Sequence, residues 1–137
     1  MDKKTIGLVA GIAAVLIVLV GAVPATTTDN STEVTIFNET FHIPEGFNKT
    51  YSNNVSDLID IKYRGDAGSI SIRVVNHNDS GQSHIHLNPD ELNRTIGNIS
   101  GLYSYPHGEG HQFRYANGNN VIIIQSNNET LLEQIIK

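Results

Sequence analysis

The chain contains no cysteine, no tryptophan, one methionine and only nine Lys and Arg among 137 residues. Without cysteine there is no disulfide scaffold, no Cys-ligated metal, no thiol nucleophile and no lipid-modified cysteine. Fourteen Asp and Glu bring the net charge to -5, which excludes a basic nucleic-acid binder. Charged residues reach 17% and apolar residues 39%, both below the usual globular shares. Asn, Ser, Thr and Gly fill the difference. Recognised catalytic motifs are missing too. There is no Gly-x-Ser-x-Gly elbow, no phosphate-cradling Gly-Lys-Ser/Thr loop and no dinucleotide fingerprint. The carboxylates are scattered and sit at turns and caps, so the sequence gives no reason to expect an enzyme.

What is present begins with an apolar run. Ile6 to Val23 carries no charge and follows Lys3 and Lys4. As a helix these residues span roughly 27 Å, close to the hydrocarbon thickness. The lysines favour the cytoplasmic side, so the rest of the chain is expected outside, in a single-pass arrangement. The run is longer than a typical signal-peptide core, which favours a retained anchor over residues 1–25. The alternative is secretion after cleavage near Ala25, where Val23-Pro24-Ala25 offers small residues. Residues 26–32 form a polar linker, and 33–137 form the outer domain.

The acceptor pattern Asn-x-Ser/Thr occurs at Asn30, Asn38, Asn48, Asn54, Asn78, Asn93, Asn98 and Asn128, eight of fifteen asparagines. With 20 Ser and Thr in the chain, chance gives about two. The excess points to an N-glycosylated surface protein. The competing account is that Asn and Thr crowd into turns and caps. A small exported domain without disulfides fits an archaeal envelope better than a eukaryotic secretion route.

Hydrophobic alternation and turn chemistry give the architecture. Val34–Phe37 and Thr40–Ile43 read as strands joined at Asn38-Glu39. The polar stretch 47–56 reads as a loop. Leu58–Tyr63 and Ser69–Val75 read as strands, the second alternating strictly through Ile70, Ile72 and Val74. Asn88-Pro89-Asp90-Glu91 carries helix-start chemistry, with Leu92 and Ile96 on one face and Gly97 as a stop. Leu102–Tyr105 reads as a strand. His111–Ala116 and Val121–Ile124 read as a hairpin across Asn117-Gly118. Ser126-x-x-Glu129 reads as a capping box before a final helix buried through Leu131, Leu132, Ile135 and Ile136. The expected class is α+β: a mainly antiparallel sheet of about seven strands in hairpins, with two helices on one face, behind one N-terminal transmembrane helix. The aromatics Tyr103, Tyr105, Phe113 and Tyr115 are expected mainly as core.

Three segments carry a resemblance. They are Phe41-x-Ile43-Pro44-Glu45-Gly46-Phe47, Phe113-x-Tyr115-x-x-Gly118 and Leu131-Leu132-x-x-Ile135-Ile136. Over most of the outer domain the chain resembles small uncharacterised membrane-anchored extracytoplasmic proteins of methanogenic archaea. The resemblance implies an envelope location and a compact α+β domain, and it brings no catalytic residues.

Five of six histidines fall between His77 and His111. His84-x-His86 puts two rings on one side of an extended segment. His107-Gly-Glu109-Gly-His111 adds two imidazoles and a carboxylate. Such donors suit zinc, copper or nickel, although the spacing matches no established zinc signature. Two functions follow from the sequence. One is a non-enzymatic surface module, held to the membrane by residues 6–23, that contacts an envelope protein or glycan and needs no cofactor. The alternative is an extracytoplasmic metal-binding domain using His84, His86, His107, His111 and Glu109, with His77 nearby.

Overall fold

A computed structural model describes residues 30–105 and 110–136. The apolar run 6–23, the 1–25 anchor, most of the linker, and His107 and Glu109 lie outside these residues. Among the described residues no helix is long and apolar enough to cross a membrane.

Among the described residues, nine strands and one α-helix follow in chain order. β1 (Thr32–Ile36) and β2 (Glu39–Ile43) make a separate two-stranded hairpin. β3 (Asn48–Val55), β4 (Leu58–Gly65) and β5 (Gly68–Asn76) form one antiparallel meander. β6 (Leu92–Ile96), β7 (Ile99–Ser104), β8 (His111–Asn117) and β9 (Asn120–Ser126) form a second. The two join through β5 and β9, so the seven-stranded sheet runs β3-β4-β5-β9-β8-β7-β6. The long connection 77–91 carries the chain from the seam to the far edge. α1 (Thr130–Ile136) closes the domain.

The alternation in β5 decides which face is buried. Ile70, Ile72 and Val74 lie opposite Ser126, Ile124 and Ile122 of β9, and all six are buried. Phe113 and Tyr115 of β8 and Ile61 and Tyr63 of β4 share that face by register. Leu131, Leu132, Ile135 and Ile136 of α1 and Ile36, Phe41 and Ile43 of the hairpin complete the same core cluster. Each fully buried aliphatic side chain contributes about 1.5–3 kcal/mol.

Three expectations need correction. The two-helix α+β layout does not occur: nine strands in two sheets and one α-helix are found among the described residues. The segment read as the middle helix is β6, paired with β7 through Ile96 and Ile99. Leu92 and Ile96 share a face in a strand as well as in a helix, so their spacing did not discriminate. Gly97 sits at φ +62°, the positive value a tight two-residue hairpin turn requires, rather than at a helix end. The capping chemistry is partly real, because the Asn88 N–H donates to Glu91 Oε1 at 3.0 Å, but it closes a single turn. Second, the stretch read as the loop 47–56 contains β3. It is polar because an edge strand exposed on both faces needs no alternation. Third, Ser126 belongs to β9 and does not cap α1. Asn128 Oδ1 accepts the Thr130 N–H instead, at 3.2 Å. Of the four aromatics, Phe113 and Tyr115 are buried, Tyr103 is half-buried and Tyr105 is exposed.

Candidate functional site

The β8–β9 turn gathers three other segments. Asn120 is buried, and its Nδ2 donates to Phe37 O at 3.0 Å and to Glu39 Oε2 at 2.8 Å. Its Oδ1 accepts from Asn76 Nδ2 at 2.7 Å. The loop leaving β5 is strapped to the same turn. The His77 N–H donates to Asn119 O and the Gly81 N–H to Gly118 O, both at 2.8 Å. Gly81 is required by this approach, since a Cβ there would stand 2.4 Å from the Asn120 carbonyl oxygen. A 3₁₀ turn over Gly81–His84 then folds the chain back, held by Ser83 N–H to Ser80 O and Ile85 N–H to Gln82 O.

This reversal brings His84 over His77. Their rings stack at 3.7 Å between centroids and 8° between planes. His84 Nε2 donates to Asp79 Oδ1 at 2.8 Å. That hydrogen bond, from a ring at the exposed surface, holds the Asp79 carboxyl below the usual carboxylate value. One ligand atom from each of His77, Asp79 and His84 lies within 4.8 Å of the others. Among the described residues they are the group that could hold a metal ion. The sequence reading had His77 and His84 in its cluster but missed Asp79. The signal was present as His77-x-Asp79-x₄-His84 inside one polar loop.

The other histidines are elsewhere. His86 is exposed, and its carbonyl accepts from Arg114 Nη2 at 3.0 Å. His111 opens β8 opposite Ser126, whereas the His84 turn is tied to Gly118 beyond the other end of β8. Six strand residues separate these ends, roughly 20 Å at about 3.3 Å each. His84 and His111 therefore do not meet. His111 Nδ1 instead shares a hydrogen bond with the Tyr103 hydroxyl at 2.6 Å, with the Tyr105 ring edge-on at 4.4 Å and Glu129 Oε1 at 3.9 Å. Glu129 also pairs with Arg94, whose guanidinium lies over the Tyr103 ring at 4.3 Å. His42, half-buried on β2, stands 4.0 Å from Glu33.

The far end of the 77–91 connection is pinned by a buried ion pair on the sheet face opposite the helix. Arg114 Nε and Nη2 donate to Glu91 Oε2 and Oε1 at 3.1 and 2.7 Å. Burial opposes the Glu91 charge, but the Arg114 hydrogen bonds and the Asn88 N–H outweigh it and hold the carboxyl below its usual value. Beside this pair an open groove of about 460 Å³ is lined by polar groups of β6, β7 and the loop, including Asn93, Thr95 and Gln82.

The eight sequon asparagines lie mostly at the surface. Asn30, Asn38, Asn48, Asn54, Asn78, Asn93 and Asn98 are exposed, and Asn128 is half-buried. Asn30 donates to Glu45, and Asn128 donates to Ala67 O at 3.1 Å while accepting from Thr130. The other six make no side-chain hydrogen bond among the described residues. Among the asparagines outside sequons, Asn76, Asn117, Asn120 and Asn127 hydrogen-bond through their side chains, whereas Asn53 and Asn119 make no such bond among the described residues.

No protein-family model and no curated protein matches the chain. Its fold is similar to a crystal structure from Bacteroides thetaiotaomicron VPI-5482 at 1.50 Å resolution, with a TM-score of 0.52 and 13% identity. The match covers 71% of this chain and 42% of that one. At this identity the likeness concerns the fold alone, and this chain spans less than half of that protein's length.

Proposed function

We propose that the protein is an N-glycosylated module, anchored in the cell membrane through residues 6–23 and displayed outside the cell. It acts by contact with an envelope protein or glycan rather than by catalysis. The observation that carries this reading is the state of the acceptor amides. Transfer of a glycan uses the asparagine Nδ2 atom. Six of eight sequon asparagines present that atom exposed and without a partner among the described residues. Asparagines used merely as turn formers bond their own backbone, as Asn128 does. Asn38, at φ +70°, and Asn98 sit in two-residue hairpin turns, but Asn48, Asn54 and Asn93 lie within strands, where turn chemistry does not account for them. The uncharged run behind Lys3 and Lys4 supports the topology that puts these sites outside.

Glycopeptide mass spectrometry on protein taken from native membranes tests this. Glycans are expected on Asn38, Asn48, Asn54, Asn78, Asn93 and Asn98. Asn128 is expected bare, because its amide caps α1 and bonds Ala67. A chain with all eight sites unmodified would refute the proposal.

A further inference from the structure

We infer that His77, Asp79 and His84 form a binding site for one zinc, copper or nickel ion on the loop that leaves β5. The ligands are protein side chains, although the sequon Asn78 lies between two of them, and the set differs from the one the sequence suggested. Donor atoms around a tetrahedral ion at about 2.0–2.2 Å stand roughly 3.5 Å apart. The three donors here are already within 4.8 Å of one another, so an ion would draw them together by only about 1 Å. Two imidazoles and one carboxylate suit borderline divalent ions and not calcium or magnesium, which prefer oxygen.

The surroundings favour a cation. Between Asn76 and Glu91 there is no Lys or Arg, and Asp79 and Asp90 carry negative charge, while Glu91 is already paired with Arg114. The backbone that carries the ligands is fixed at His77, Gly81 and Ile85 by the hydrogen bonds to Asn119, Gly118 and Gln82. Only side chains have to move. Imidazole lone pairs lie in the ring plane, so two rings 8° from parallel do not aim at one point. One ring must turn out of the stack. His84 is at the surface, with its side chain 38% exposed, so the turn displaces solvent rather than packed neighbours. The ion would replace the proton that His84 now shares with Asp79. Three protein ligands leave a fourth position for water or for a donor from a partner.

The test uses the full chain in a mild detergent. Calorimetric titration with Zn²⁺ should show one ion per chain. His77→Ala and His84→Ala should each weaken it by at least about tenfold, and Asp79→Asn should weaken it without altering the loop's shape. His86→Ala and His111→Ala should leave it unchanged. One equivalent of Cu²⁺ on the unmutated chain should give an electron paramagnetic spectrum with coupling to two imidazole nitrogens. That spectrum needs no variant, so misfolding cannot mask the answer. No zinc heat together with no nitrogen coupling overturns the site. So does zinc binding that survives loss of His84 and disappears with His86 or His111.

Discussion

Replacing Arg114 by Leu should destabilise the protein by about 3–5 kcal/mol, the cost of leaving one member of a buried ion pair alone. The residue donates to both Glu91 oxygens and to His86 O, at 3.1, 2.7 and 3.0 Å. Without it the Glu91 carboxylate, only 4% exposed at its side chain, keeps one donor, the Asn88 N–H. A tally of net neutral hydrogen bonds gives about 3 kcal/mol, the lower edge of the same range. A domain of this size loses at least about 4 °C of midpoint per kcal/mol, so the midpoint should fall by about 12 °C or more. With no tryptophan in the chain, unfolding is followed by far-ultraviolet circular dichroism. The double variant Arg114→Leu/Glu91→Leu should recover most of the loss, because apolar groups of similar volume replace a buried pair at little cost. The pH dependence has a definite sign. Glu91 titrates below its ordinary 4.5 in the folded state, so the unfolded chain binds the proton first as pH falls. The pair's contribution is fully present above pH 4.5 and is lost as pH falls through the lower folded value. The gap between the parent protein and Arg114→Leu should therefore be widest near neutrality and narrow in acid. A single variant costing under about 1 kcal/mol, or a double variant no better than the single, would refute this account.

Gly81→Ala puts a Cβ 2.4 Å from the Asn120 carbonyl oxygen, where only backbone can yield, and should cost about 1–3 kcal/mol. Its signature should be local: hydrogen exchange at the His77 and Gly81 amides should accelerate more than in β5 or β9. Asn48→Gln, Asn54→Gln and Asn93→Gln together should leave the unfolding midpoint within the effect of surface changes, about 0.5 kcal/mol. In glycosylated protein they should raise self-association seen by light scattering, and unchanged scattering would count against a protective role for those sites.

The parts of the fold that the sequence revealed are those governed by local period. The strict alternation of Ile70, Ile72 and Val74 became the seam strand, and the Leu131, Leu132, Ile135, Ile136 stripe became α1. β3 was hidden because Asn48–Val55 needs no buried face at a sheet edge, and period is a signal of burial. β6 was hidden because Pro89 and the Asn88–Glu91 pair gave helix-start chemistry to a lone turn. What turned Glu91 from a cap into an anchor was Arg114, 23 residues on, and no local window contains that pairing. The candidate site divides along the same line. His77, Asp79 and His84 belong to one loop and were within reach of spacing alone. The separation of His84 from His111 depends on which end of β8 each occupies, and that is a matter of topology.

Asparagine carries two kinds of work here, and side-chain hydrogen bonding separates them. Asn120, itself buried, joins the β1–β2 turn, the end of β5 and the β8–β9 turn through three hydrogen bonds, and replacing its amide would leave half-buried partners without them. Asn48 and Asn54 on β3 and Asn93 on β6 are exposed and bond nothing through their side chains among the described residues. These two strands are the outer edges of the seven-stranded sheet. An open edge offers unpaired N–H and C=O groups to any other strand, and proteins commonly shield edges with lysine, proline or a covering element. β6 has no lysine or proline, and β3 has the single Lys49. Glycans on Asn48, Asn54 and Asn93 would supply the missing bulk at both edges. On the proposed glycosylation, the sequon excess is also a fold-level device that shields both open edges of the seven-stranded sheet.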